Sequence, residues 1–174
     1  MPLKSALFAL LGVALLVSVV TDLWRRRIYD VVTVPAVLGA LGLRWWLGGV
    51  GGPEEGLVSG LAGLGAAVVL FGAFALFGKG LGWGDVKLAA VVGAAFGTPL
   101  VLGALMFITL AGAVQAVISL LWQGAVSDTL RAWVARFGKQ APAGAAPRQI
   151  PYSVAIALGS AWAMWWDRAG FSGS

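Results

Sequence analysis

Cysteine and histidine are both missing from this chain of 174 residues. Without thiols it can form no disulfide and has no cysteine nucleophile. Without imidazole it has no Ser/His dyad, no histidine base and no His-Glu-x-x-His zinc site. Charge is scarce as well: 11% of residues are Asp, Glu, Lys or Arg, and only seven are acidic. Acid and base work therefore falls to a handful of carboxylates. So little polar surface cannot cover a water-soluble globule.

What the chain has instead is apolar length. It is 60% hydrophobic, and runs of about twenty apolar residues can cross roughly 30 Å of hydrocarbon as helices. Six spanning segments are expected near 5–22, 31–48, 56–78, 84–97, 99–122 and 150–167. The first run, Ala6 to about Val20, follows Lys4 as a signal peptide would. No small-residue cleavage site follows it, so it reads as a retained helix. The fourth segment is short, because Gly97, Thr98 and Pro99 interrupt the run, and a helix starting in a protein-lined recess would account for its length. Among 26 glycines, Gly56, Gly60 and Gly63 are spaced for close helix packing. The expected fold is an all-α polytopic membrane protein forming one membrane-embedded domain over 1–174. Its most polar stretch, 123–149, should leave the bilayer. There Val126, Leu130, Trp133, Val134 and Phe137 share a helical face, which reads as an amphipathic helix on the cytosolic leaflet, followed by a Pro/Ala/Gly linker.

The net charge of +5 does not point to nucleic acid, because the basic residues sit in short gaps between apolar runs. Alternate loops collect Arg25, Arg26, Arg27, Lys79, Lys87, Arg131, Arg136, Lys139 and Arg148 on one side, against Lys4, Arg44 and Arg168 on the other. By the positive-inside rule the richer side is the cytosol. Both termini are then expected outside it, in a bacterial inner membrane. Trp24, Trp83 and Trp122 fall at the cytosolic ends and Trp45, Trp46, Trp165 and Trp166 at the outer ends, as interfacial belts do.

Glu54, Glu55, Asp128 and Asp167 lie in loops or at segment ends, where solvation suffices. Asp22 closes the first helix and Asp85 opens the fourth, so both fall at the cytosolic boundary. Ionisable groups there are candidates for function. Two neighbouring carboxyls cannot both ionise comfortably, so one can serve as base while the other serves as acid. A plainer role for Asp22 is an ion pair with Arg25 or Arg26, and for Asp85 a favourable charge at a helix start. Asp30 reads as the N-cap of the second helix. Gly82 and Gly84 permit close backbone approach and unusual conformations beside Asp85. Lys87 reads as an interfacial anchor able to contact substrate.

Three stretches go further: Asp22-Leu-Trp-Arg-Arg-Arg-Ile-Tyr-Asp30, Gly82-Trp-Gly-Asp-Val-Lys-Leu88, and Ile150-Pro-Tyr-Ser-Val-Ala-Ile-Ala-Leu-Gly159. In order and spacing they resemble the type IV prepilin peptidase family, whose members carry Gly-x-Gly-Asp in an aspartic peptidase site. Tyr29 departs from the proline usual at that position. The resemblance implies Asp22 and Asp85 as the catalytic pair, supported by Gly82, Gly84 and Lys87, with no metal or other cofactor. It also implies removal of a short basic leader from prepilin or pseudopilin-like substrates at the cytosolic face. The cysteine-bearing methyltransferase region of longer members has no counterpart here. Two other classes fit the same composition: a small ion or proton transporter, and a non-catalytic assembly subunit of a pilus or secretion system.

Overall fold

A computed structural model describes residues 2–51, 56–77, 81–122 and 152–170. The amphipathic stretch expected over 123–149 lies outside the described residues. Those that are described form helices and no strand: α1 (Pro2–Arg25), α2 (Asp30–Gly48), α3 (Leu57–Phe77), α4 (Trp83–Trp122) and α5 (Ser153–Arg168). Helices suit a bilayer because each satisfies its own backbone hydrogen bonds without water. Four stretches, Leu3–Arg25, Asp30–Gly48, Leu57–Leu76 and Leu100–Ser119, are long and apolar enough to cross.

The 40-residue α4 is not one straight rod. From Asp85 to Gly112 an unbroken helix would extend about 40 Å, yet Gly112 touches Tyr152 and Asp85 lies within electrostatic range of it. The Asp85 charge acts on the Tyr152 phenol, and a Cβ on Gly112 would run into its hydroxyl. The chain therefore doubles back at Gly97, whose φ of 66° and ψ of −173° leave helical space. That left-handed φ favours glycine, and a Cβ there would stand 2.5 Å from Ser59 Oγ. Thr98 then starts the second arm, its N–H donating to Ser59 Oγ at 3.0 Å. Among the described residues six rods result, although the arm 83–96 and the 16-residue α5 are shorter than the four crossing stretches.

The short arm 83–96 sits at the centre of the bundle. From Leu88 to Phe96 every residue is buried, so protein rather than lipid accounts for its apolar character. Glycines let α3 come close: a Cβ on Gly63 would strike the Gly93 carbonyl, and one on Gly93 the Gly63 carbonyl. Small residues serve this purpose where lipid supplies no hydrophobic drive for association. Around the arm, Phe8, Leu11 and Leu15 of α1, Phe71 of α3, Ile108 of the second arm and Ile156 of α5 close a shared core.

Arg44, counted above among the outer loop charges, is only 3% exposed. It reaches inward at the Gly97 reversal, and Gly60 leaves room for its side chain. At one end of the bundle Lys4 Nζ pairs with Asp167 at 3.4 Å, while at the other end Asp22 meets Ser153. α1 and α5 thus run antiparallel and touch at both ends.

Candidate active site

One end of the bundle gathers the end of α1 and the starts of α2, α4 and α5. α1 closes where the Arg26 N–H donates to the Asp22 carbonyl at 2.8 Å. Arg26 itself turns left-handed, with φ of 50°. Tyr29 is extended (φ −91°, ψ 135°) and stands as the N-cap of α2, so the departure from proline there still gives a helix entry. Asp30 is therefore the first residue of α2 and not its N-cap. The expected capping role passes to a residue whose side chain makes no capping bond.

Asp22 is half-buried. No ion pair joins it to Arg25 or Arg26 among the described residues, and all three arginines of the cluster are exposed. Its Oδ2 instead accepts a 2.5 Å hydrogen bond from Ser153 Oγ, across 131 positions of chain.

Asp85 is 9% exposed. Its own N–H donates to the Gly82 carbonyl at 3.0 Å, and the Gly82 N–H donates back to Asp85 Oδ2 at 3.0 Å. This reciprocal pairing is half of a capping box, with the acid three residues into the helix start. It commits one carboxylate oxygen and fixes the side chain against the loop. The Asp85 carboxyl also interacts electrostatically with that of Asp22. Two acids 63 residues apart in sequence thus lie at the same end of the bundle.

The flanking glycines meet one of the two expectations, close approach, and only at Gly84. Neither takes a positive φ, so an unusual backbone conformation is not their contribution. A Cβ on Gly84 would come within 3.1 Å of Ile28 Cβ, so its smallness lets the α1–α2 turn press onto α4. At Gly82 a Cβ would make only an ordinary 3.4 Å contact; what matters there is the N–H given to Asp85. Lys87 Nζ pairs with Asp30 Oδ1 at 2.6 Å, both side chains about half exposed. It ties the start of α4 to the start of α2.

Tyr152 and Ser153 were not singled out from the sequence as site residues. The Tyr152 ring meets Phe71 edge-on at 6.2 Å and lies over Gly112. Ser153 is fully buried. Their only signal was membership of the Ile150–Gly159 stretch, which carried family likeness without a role. Among the described residues, no three acidic side chains converge as a metal site would need.

Two carboxyls brought within hydrogen-bond reach can share a proton as a unit. Such a unit can both withdraw and supply a proton at a reacting centre. No curated protein and no solved structure matches this chain. A family model does, over residues 9–120, a range that contains both acids and both glycines. This multi-pass chain therefore belongs to the type IV leader peptidase family.

Proposed function

We propose that this chain is an aspartic endopeptidase that removes a short basic leader from type IV prepilin-like proteins at the cytosolic membrane face. Asp22 and Asp85 are its catalytic pair. The observation that supports the reading is that these two carboxyls lie at one end of the bundle within electrostatic range, each held by a separate hydrogen bond, Asp22 by Ser153 and Asp85 by Gly82. One ionised carboxylate draws a proton from water as that water attacks the scissile carbonyl. The protonated partner polarises the carbonyl and then protonates the leaving amine. No covalent intermediate is needed.

The distribution of charge supports the cytosolic side. Arg25, Arg26 and Arg27 are exposed at the same end as the acids, and Lys87 joins them there. Short loops rich in arginine and lysine mark the cytosolic side. A leader cut just before a hydrophobic pilin helix would present its scissile bond at that boundary.

Co-expression with a prepilin-like substrate tests the reading, leader removal being followed by gel shift. Asp22→Asn and Asp85→Asn each keep side-chain size while removing the titrating acid, and each should abolish the shift. Processing that continues at the wild-type level in both would sink the proposal. Ion flux without cleavage would instead identify a transporter.

A further inference from the structure

We infer that Ser153 is a positioning residue for this peptidase, its hydroxyl fixing the Asp22 carboxylate in one orientation at the end of the bundle that also holds Asp85. The inference rests on the reading of Asp22 and Asp85 as the catalytic pair and adds a third group to it.

Asp22 needs an outside support more than Asp85 does. Asp85 is locked by its own helix start, through the paired bonds with Gly82. Asp22 lies near the end of α1, where its backbone carbonyl is taken by Arg26 and its side chain has no ion pair with the neighbouring arginines. A carboxylate on two rotatable bonds, at a half-exposed helix end, samples several rotamers unless something selects one. Ser153 Oγ supplies that selection at 2.5 Å, within the short range of O–H···O bonds to a carboxylate.

The donor is itself held rigidly. Ser153 is the first residue of α5 and fully buried. Tyr152 before it is braced by Phe71 and by the space over Gly112. Two turns on, Gly159 packs directly on the backbone of Ile108, which stops α5 from sliding along the second arm of α4. A hydroxyl carried on so fixed a helix start delivers its hydrogen to one place. The two acids thus have separate anchors, one local in sequence and one reached only through the fold.

The experiment is steady-state cleavage of a prepilin-like substrate by the purified full chain in detergent. Wild type, Ser153→Ala, Ser153→Cys and Ser153→Thr are compared, with Asp22→Asn and Asp85→Asn in parallel. Alanine removes the donor, cysteine keeps the volume with a poor donor, and threonine keeps the hydroxyl. Misorientation of one catalytic group should lower kcat by about 10- to 100-fold in the alanine and cysteine variants, with KM within about twofold. Threonine should recover most of the rate. A role confined to packing would instead spare cysteine and show itself in thermal stability. If kcat in both the alanine and cysteine variants stays near wild type while the two Asp→Asn variants are dead, the inference about Ser153 fails alone. A rise in KM at unchanged kcat overturns it equally, by making Ser153 a substrate contact. Activity in the Asp→Asn variants overturns the catalytic pair itself.

Discussion

Arg44, buried on α2, donates from Nε to the carbonyl of Ala94 on α4 at 2.8 Å. Its Nη2 donates to the next carbonyl, Ala95, at 2.9 Å. These carbonyls belong to the last turn of the arm 83–96, where helix ends leave acceptors without intrahelical donors. An arginine fork answers two of them at once, which a lysine cannot do with the same geometry. The cation also lies at the C-terminal, negative end of the arm's dipole. The helix carrying Asp85 is therefore finished at its far end by a side chain from a different helix.

Removing that cap should destabilise the bundle without touching the acids. Arg44→Met leaves two buried carbonyls unpaired, at about 1–3 kcal/mol each. A clear drop in the thermal midpoint in detergent is expected, with Arg44→Lys falling between. If Arg44→Met melts at the wild-type temperature, the capping account is wrong.

The proposed mechanism carries a pH signature. It requires one of Asp22 and Asp85 ionised and the other protonated. As pH falls both carboxyls become protonated and no base remains; as pH rises both ionise and no acid remains. kcat/KM should therefore trace a bell against pH, whose two limbs belong to the pair and not to either residue. A profile with a single limb would remove one of the two acids from the proton transfers.

The surface pair Lys87–Asp30 makes a weaker demand. Both side chains are about half exposed at 2.6 Å, and such pairs contribute about 0–1 kcal/mol. Lys87→Met and Asp30→Asn should each shift stability by less than that. If Lys87 acts only through Asp30, the double variant should cleave no worse than either single one. A further loss in the double variant would give Lys87 a second role, on the substrate.

Much of this was legible in the residues. The depth of Asp22 and Asp85 follows from where apolar runs stop, because the bilayer turns a one-dimensional pattern into a height. The interruption at Gly97 was visible too, since glycine followed by Thr-Pro breaks a run. What spacing could not give is which helices touch. Ser153 joins Asp22 across 131 positions, and an isolated serine in an apolar stretch looks the same whether it faces lipid, a neighbour or a carboxylate. Arg44 misled for a related reason: a charge near a segment end counts as a topology signal until its side chain is seen to turn inward. Of the two reasons expected for the glycines beside Asp85, close approach holds at Gly84 and unusual conformation at neither. One makes room for Ile28 and the other lends an N–H, and neither uses the left-handed conformations open to glycine.

The closure of α1 onto α5 has a consequence in time. Synthesis runs from Asp22 through Asp85 to Ser153, so a growing chain carries both acids in the membrane well before the hydroxyl that steadies the first of them exists. At ordinary rates of elongation that interval lasts several seconds. A nascent peptidase is thus a blunt one, and its edge arrives only when the helix begun by Ser153 inserts beside the helix made first.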